Sequence, residues 1–229
     1  MNTAQNGRLH EIGLLIFDLD GTLIDSEADL ALSVNAMLEY MKREPLARPV
    51  IASYVGQGVA VLVRRALGPA ASEAMVDDAS SFFLDYYRDH MLDHTTLYPG
   101  VVEALERLKP RQMAVLTNKP VNFSSKIIAG LELDRYFAFV YGGNSFGQKK
   151  PDPVGILRLI EDTGIPPAQT LMIGDSETDI QTGRNAGTWT CGVSYGMGSH
   201  TLAQAQPDLL LDDLRELPLL LSEAHSAPS

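Results

Sequence analysis

Two short acidic phrases each follow an apolar run of the kind that forms a buried strand. Asp18 and Asp20 come directly after one such run, and Asp175 and Asp179 follow another one much later in the chain. Both runs are typical of strands in a parallel sheet, so their carboxyl ends would meet at one sheet edge. Carboxylates gathered there would repel one another unless a hard cation lay among them. The pattern therefore predicts a magnesium site at the edge of a parallel sheet.

The composition is that of an ordinary globular protein and argues against nucleic-acid binding. Hydrophobic residues make up 45% and charged residues 21% of the 229 residues, which excludes the disordered and fibrous classes. The formal net charge is -11. Nucleic-acid affinity depends on Lys and Arg neutralising phosphates, so a partner of that kind is not expected. A small phosphorylated ligand needs only a local positive charge and stays compatible with this chain.

The sequence favours a cytoplasmic location. Cys191 is the one cysteine, so no intrachain disulfide can form. Residues 1–9 are polar and lack the apolar core of a signal peptide, and no stretch reaches the roughly 18 apolar residues of a membrane helix. We therefore expect a soluble cytoplasmic protein, monomeric or homodimeric, without a membrane or nucleic-acid partner.

Strand-like runs rich in branched residues alternate with helical patterns along the chain. The predicted strands are 13–18, 113–118, 138–143, 170–175, 188–194 and 209–211. Between most of them apolar residues repeat at helical spacing, as from Val101 to Leu108, where Pro110 ends the pattern. This alternation predicts an α/β fold, a parallel sheet covered by helices on both faces.

One long segment, residues 25–94, departs from this alternation. It contains no convincing strand, and its apolar residues, such as Leu30 and Val34, repeat with a period of about 3.6 residues. Ligand sites in open α/β sheets lie outside the carboxyl ends of the strands, so a helical unit emerging there would cover the site as a lid. We predict a catalytic core of residues 1–24 and 95–229 and a small helical cap domain of residues 25–94.

The first acidic phrase carries the groups for covalent phosphoryl transfer. A carboxylate held at a strand end, as predicted for Asp18, can attack an electrophile, and with a phosphoryl substrate the product is an aspartyl-phosphate. Asp20 is placed to protonate the leaving group and then to activate water. Gly21 permits a tight backbone turn after it. By itself, the phrase is also compatible with a simple turn or a calcium-type loop.

Two further phrases suit a phosphate group. Thr117 and Asn118 follow a predicted strand, where a hydroxyl, an amide and backbone N–H groups fit phosphate oxygens, although such residues also cap ordinary helices. Lys149 and Lys150 precede a proline-stiffened segment that opens a predicted helix, 154–163. One of these lysines could hold the nucleophile and the phosphate together against charge repulsion, and unpaired surface lysines are the alternative.

The second acidic phrase places two carboxylates one helical turn apart. Asp175 and Asp179 follow a predicted strand, so both can face the same cation. The alternative is a solvated helix start, where acidic residues interact favourably with the helix dipole.

In order along the chain, these phrases resemble the four motifs of the haloacid dehalogenase-like hydrolase superfamily. The matching segments are Asp-Leu-Asp-Gly-Thr-Leu at 18–23, Thr-Asn-Lys at 117–119, Lys-Pro-Asp-Pro at 150–153 and Gly-Asp-Ser-Glu-Thr-Asp at 174–179. The resemblance extends over nearly the whole chain. It implies a Rossmann-like parallel sheet core with a small α-helical cap domain inserted after the first strand.

The resemblance also implies the acidic residues' roles. Asp18 would be the nucleophile and a magnesium ligand, and Asp20 the general acid/base whose backbone carbonyl also meets the metal. Asp175 would complete the metal ligands, with Asp179 either on the metal or beside it.

The polar phrases would handle the phosphoryl group. Thr117, a catalytic residue as well, and Asn118 would bind the transferring group. Lys150 would neutralise its charge, and Lys149 is the alternative lysine for that role.

Within the superfamily, the chain is most similar to phosphoglycolate phosphatases and their close relatives. The similarity is carried by residues 25–31, 55–59 and 98–101, with Arg64 beyond the second of them. Gly56 and Gly58 would let backbone approach the substrate, and Arg64 or Arg65 could meet a substrate carboxylate. A plain turn between helices and a solvated helix face are the alternative interpretations of these glycines and arginines.

The implied activity is that of a magnesium-dependent phosphatase. It would hydrolyse a small phosphorylated metabolite through an aspartyl-phosphate intermediate, with 2-phosphoglycolate as the first candidate. Another substrate, such as a nucleotide, a sugar phosphate or pyrophosphate, is an alternative.

Other activities on this scaffold fit the residues less well. A phosphosugar mutase resembling β-phosphoglucomutase would need a cationic cap phrase where this chain has Val-Gly-Gln-Gly at 55–58. A carbon–halide dehalogenase would need neither a metal nor Asp20. A non-catalytic relative would have lost Asp18, and Asp18 is present.

Overall fold

The computed structural model describes residues 9–222, and this range contains eight strands. In chain order the strands are β1 Leu14–Phe17, β2 Ile24–Asp25, β3 Thr96–Leu97, β4 Gln112–Leu116, β5 Phe139–Tyr141, β6 Thr170–Gly174, β7 Trp189–Val193 and β8 Leu209–Leu211. All of the predicted strands are among them.

Six of these strands form one parallel sheet in the order β5-β4-β1-β6-β7-β8. The predicted α/β fold with a parallel sheet is confirmed. β1 lies between β4 and β6, with Leu14 opposite Gln112 on one side and Thr170 on the other. Every residue of β1 is fully buried, as expected for a parallel strand covered on both faces. The strand order reverses beside β1, where open α/β sheets bind their ligands.

A second, two-stranded sheet was not predicted from the sequence. β2 and β3 pair antiparallel, with Ile24 opposite Leu97 and Asp25 opposite Thr96. Each strand has two residues, too few for a period of alternating side chains to stand out. This ribbon joins the two points where the chain enters and leaves the long helical segment.

The described range also contains ten α-helices. In chain order they are α1 Glu27–Tyr40, α2 Arg48–Ala52, α3 Val59–Leu67, α4 Glu73–His90, α5 Val101–Leu108, α6 Val121–Gly130, α7 Val154–Thr163, α8 Glu177–Ala186, α9 Leu202–Ala205 and α10 Glu216–Ser222. Short 3-10 turns lie at Leu9–Glu11, Asp134–Tyr136, Pro167–Gln169 and Ser199–Thr201. The helices predicted at 101–108 and 154–163 have those bounds. Across the described residues, each helix is too short or too polar to cross a membrane.

Helices α1 to α4 occupy the segment between β2 and β3, so its predicted helical character is confirmed. The division into a core and a cap domain stays a prediction. Residues 1–8 and 223–229, which the predicted core includes, lie outside the described range.

The alternation of side chains along β1 divides the hydrophobic core into two layers. Leu14 and Ile16 pack on one face of the sheet with residues of α7. Leu15 and Phe17 point to the other face, where the apolar cluster includes residues of α5 and continues into α1, α3 and α4. The helical segment therefore shares a continuous apolar cluster with one face of the sheet.

A buried aspartate ties together the two connections of the helical segment. Asp29, in the first turn of α1, is fully buried. Its carboxylate accepts hydrogen bonds from the backbone N–H groups of His94 and Thr95 at 2.8–3.0 Å and from the Thr95 hydroxyl at 2.7 Å. Burial raises the pKa of Asp29, but these hydrogen bonds outweigh it and hold the pKa below its usual value. The charged carboxylate thus fastens the start of α1 to the chain just before β3.

We expect Asp29→Asn to lower the free energy of unfolding by about 2–4 kcal/mol, because an amide nitrogen would face backbone donors in a buried site. Equilibrium urea unfolding measures this loss. Glu39→Gln, at an exposed position of the same helix, is the matched control and should stay within about 0.5 kcal/mol of the native protein. Equal stabilities of the two variants would contradict the assigned role of Asp29.

Candidate active site

The carboxyl ends of three adjacent strands bring the predicted polar residues together. Asp18 directly follows β1, Thr117 follows β4 and Asp175 follows β6. All three side chains are buried. The parallel pairing of β4, β1 and β6 is the reason that residues distant in sequence meet at one sheet edge.

Three carboxylates at this edge are arranged as a candidate metal site. Asp18, Asp175 and Asp179 each offer an oxygen, and these oxygens all lie within 4.8 Å of one another. Burial raises the pKa of Asp18 to about 6, with Lys150 opposing the rise and Asp179 adding to it. Burial and the charges of Asp179 and Asp18 also raise the pKa of Asp175 well above its usual value. An all-oxygen donor set whose charges repel one another suits a hard divalent cation.

The carboxylate of Asp179 also has partners within the protein. It lies in the first turn of α8, where its Oδ2 accepts hydrogen bonds from the Ser176 backbone N–H at 3.1 Å and from the Ser176 hydroxyl at 2.6 Å. Its Oδ1 lies 2.5 Å from Lys150 Nζ. Asp179 therefore fixes the start of α8 and the position of a lysine, besides facing the other carboxylates.

Of the two candidate lysines, Lys150 is the one that contacts the carboxylates. Its buried ammonium group lies 2.8 Å from Asp18 Oδ1 and 2.5 Å from Asp179 Oδ1. Burial lowers the pKa of Lys150, but the charges of Asp179 and Asp18 outweigh it and raise the pKa above its usual value, so Lys150 stays protonated. Lys149 is exposed, and its Nζ lies 3.0 Å from the place a Cβ on Gly58 would occupy.

A glycine lets the acidic loop after β1 pass directly against Asp175. Gly21 has a φ of +84°, and a Cβ there would lie 2.1 Å from Asp175 Oδ2. Any side chain would therefore displace that carboxylate and would strain the backbone as well. The Gly21 N–H donates a 2.9 Å hydrogen bond to the Ile24 carbonyl, which closes the turn into β2.

Asp20 is held by a second lysine that the sequence interpretation left without a role. The ammonium group of Lys119 donates to both carboxylate oxygens of Asp20, at 2.7 and 2.8 Å, and the Ser26 hydroxyl donates to Oδ1 at 2.5 Å. Burial lowers the pKa of Lys119, but the charge of Asp20 outweighs it and raises the pKa above its usual value. Lys119 Nζ also lies 4.9 Å from the centre of the Tyr87 ring on α4.

Lys119 belongs to the phrase at 117–119, so its position was visible in the sequence. Lys119 follows a predicted buried strand and two residues suited to phosphate binding, and this pattern could have identified it. Its contact on the helical segment, Tyr87, is a buried residue of α4.

Thr117 and Asn118 are placed differently with respect to a ligand. The Asn118 side chain donates to the carbonyls of Gly56 and Lys150, at 2.9 and 3.0 Å, and accepts from the Lys150 N–H at 3.0 Å. Its amide is therefore engaged with backbone, and it joins the loop of Gly56 to the loop of Lys150. The Thr117 oxygen accepts from the Lys119 N–H at 3.3 Å, which leaves its O–H free to donate.

A cavity of about 50 Å³ opens between these residues and the helical segment. Asp18, Asp20 and Lys119 line it from the sheet side. Gly56 and Gly58 line it from the loop before α3, together with apolar side chains of α1, α3 and α4. The structure thus brings both predicted glycines to the site.

Arg64 does not join this arrangement. Its guanidinium forms a 2.5 Å ion pair with Glu73, and the arginine side chain is 45% exposed. Arg65 donates a 2.9 Å hydrogen bond to Gln57. Neither arginine lines the cavity. The alternative interpretation of the arginines, a solvated helix face, fits these positions.

Comparison with known proteins agrees with this geometry. The model of the haloacid dehalogenase-like hydrolase family matches residues 15–193. A phosphoglycolate phosphatase of Psychrobacter arcticus is 41% identical over 225 residues, which cover 93% of this chain and 97% of that protein. A phosphoglycolate phosphatase of Pseudomonas putida KT2440 is 40% identical over 213 residues, which cover 89% of this chain and 78% of that protein.

Solved structures show the same fold. The crystal structure of a predicted phosphoglycolate phosphatase from Haemophilus somnus 129PT superimposes with a TM-score of 0.86 at 33% sequence identity, and the match covers 90% of this chain and 96% of that chain. From the family match, these relatives and the grouped motif residues, it follows that this chain belongs to the haloacid dehalogenase-like hydrolase family.

Proposed function

We propose that this protein is a magnesium-dependent phosphatase that hydrolyses 2-phosphoglycolate through an aspartyl-phosphate on Asp18. The observation that carries the proposal is the position of Asp18. It lies at the end of β1, 2.8 Å from Lys150, beside two other carboxylates and on the wall of the cavity. The relatives that are phosphoglycolate phosphatases by name support the choice of reaction and substrate.

Magnesium fits the carboxylate cluster by its preference for oxygen ligands. Asp18 and Asp175 would hold it through their side chains, and Asp20 through its backbone carbonyl. Asp179 would act beside them, because its oxygens already accept hydrogen bonds from Ser176 and Lys150. When bound, the ion would neutralise charge on the phosphoryl group and on the cluster.

The protein's own residues then account for two displacements at phosphorus. A carboxylate oxygen of Asp18 attacks phosphorus, the bond to the ester oxygen breaks, and Asp20 gives its proton to that oxygen. Asp20 next takes a proton from water, whose oxygen attacks phosphorus and breaks the bond to Asp18. Inorganic phosphate and free Asp18 result. Lys150 and the Thr117 hydroxyl would hold the phosphoryl oxygens during both steps.

The helical segment would act as a cap over this chemistry. Its loop contacts the core through the hydrogen bond from Asn118 to the Gly56 carbonyl, and its apolar residues line the cavity. A dry site strengthens the interactions of Asp18 and Lys150 with the phosphoryl group. A cytoplasmic location is part of the proposal, since Cys191 is the one cysteine and no intrachain disulfide can form.

The mutase alternative gains no support from the cavity. Among the described residues that line it, Lys119 is the only cation, and it is paired with Asp20. A sugar phosphate with a second phosphate would need further cationic groups there.

Asp18→Asn should lower phosphate release from 2-phosphoglycolate by about 1,000-fold or more, because the amide cannot form the covalent intermediate. The assay compares kcat/KM with excess magnesium, with a chelator control and a panel of sugar phosphates, nucleotides and pyrophosphate. Asp162→Asn, an acidic residue of α7 away from the cavity, is the control and should keep native turnover. Near-native turnover of Asp18→Asn would show that the nucleophile is another group, and a flat substrate panel would remove the support for phosphoglycolate.

The raised pKa of Asp18 predicts a pH-dependent stability difference in metal-free protein. Asp18 binds its proton more tightly in the folded state, so its cost to stability is absent below about pH 4 and grows as the pH rises to about 6. Asp18→Asn should therefore raise the melting temperature more at pH 7.5 than at pH 4.5. Excess magnesium at pH 7.5 should stabilise the native protein and reduce the advantage of the variant. An advantage that is independent of both pH and magnesium would contradict this account of the cluster.

A further inference from the structure

The ammonium group of Lys119 lies at the wall of the cavity, next to the Tyr87 hydroxyl. Its ammonium group has three N–H donors, and among the described residues its hydrogen bonds go to the two carboxylate oxygens of Asp20. The lysine lines the cavity beside Asp20, which is the side where a leaving group would lie. The third donor lies on the side of the Tyr87 hydroxyl, at the wall of the cavity.

Tyr87 supplies a second donor that lacks a partner. The residue is 2% exposed and lines the same cavity from α4. Its hydroxyl lies against Lys119, and within the described part of the chain the O–H has no hydrogen-bond acceptor. An unpaired buried hydroxyl costs stability, and such groups are rare in folded proteins, so its position calls for a ligand atom.

The rest of this side of the cavity is apolar. Leu30, Val59, Leu62 and Phe83 line it, and none of them can bind an anion. The nearby arginine at position 64 pairs with an exposed glutamate and does not line the cavity. An anionic group entering there would depend on Lys119 and Tyr87, because a buried charge must be paired and hydrogen-bonded.

The cavity is also small. Its volume is about 50 Å³, whereas one buried water needs roughly 10–15 Å³ on the same scale. A space of this size fits a short carboxylic acid as the leaving group.

We propose that the Lys119 ammonium and the Tyr87 hydroxyl together bind the carboxylate of the substrate's leaving group, so that the enzyme selects phosphorylated short hydroxy acids. This inference rests on the proposed function and names the specificity-determining residues of the same site. The substrate carboxylate, which the sequence analysis assigned to Arg64 or Arg65, is here assigned to two buried residues that face the cavity.

The test compares two substrates that differ at the carboxylate. 2-Phosphoglycolate carries the anion, and 2-hydroxyethyl phosphate replaces it with a neutral CH₂OH group. With excess magnesium, the native enzyme should favour phosphoglycolate in kcat/KM. Tyr87→Phe should reduce this preference by about 10-fold and Lys119→Gln by about 100-fold, as expected for lost hydrogen bonds to a charged group.

Using a ratio of substrates separates recognition from damage to Asp20. If Lys119 acts only by holding Asp20, its replacement slows both substrates equally, and an unchanged ratio overturns the proposal. A native enzyme that does not prefer phosphoglycolate overturns it as well. Tyr86→Phe and Lys126→Gln are matched controls, because neither residue lines the cavity, and both should keep the native ratio.

A binding measurement distinguishes this proposal from the proposed function. In the Asp18→Asn background, calorimetry gives the Kd of each substrate without turnover, and adding Tyr87→Phe should remove most of the discrimination. If Tyr87→Phe removes the discrimination in binding while the native enzyme releases no phosphate, the carboxylate site is upheld and the phosphatase is rejected. Phosphate release with equal Kd values for both substrates would uphold the phosphatase and reject the carboxylate site. Tyr87→Phe removes a single oxygen, so the test stands even if Lys119→Gln fails to fold.

Discussion

The mutual repulsion of three buried carboxylates, countered by one buried lysine, governs the site at the centre of this protein. Asp18, Asp175 and Asp179 lie together because β1 and β6 are neighbours and end at the same edge. Lys150 supplies one positive charge against these carboxylates, and burial together with their remaining repulsion raises the pKa values of Asp18 and Asp175. The surrounding loops serve to hold these groups in place, as the close approach of Gly21 to Asp175 shows.

Two lysine–aspartate pairs occupy different sides of the site. Lys150 lies with Asp18 on the side of the carboxylate cluster, and Lys119 lies with Asp20 on the side of the cavity. Because each aspartate has its own cation, two carboxylates only two residues apart can take different roles. Tyr87 brings the helical segment into contact with the second pair, so the helical segment and the position of Asp20 are linked through Lys119.

Much of the fold followed from local patterns. The strands of the parallel sheet and the helices at 101–108 and 154–163 were predictable because apolar periodicity and proline boundaries act over a few residues. The two-residue strands β2 and β3 were not, since their pairing joins Asp25 to Thr96 across the whole helical segment. The hydrogen bonds that the Asp29 carboxylate accepts from His94 and Thr95 could not be predicted for the same reason.

The sequence by itself determined the family and the chemistry, because the order and spacing of the acidic and polar phrases depend on residue type alone. The tertiary structure decided which of the candidate residues meet the site. It placed Lys150 against Asp18 and left Lys149 exposed, turned Arg64 toward Glu73 and away from the cavity, and buried Lys119 between Asp20 and Tyr87. These outcomes depend on side-chain direction and on contacts between distant segments, which residue order does not encode locally.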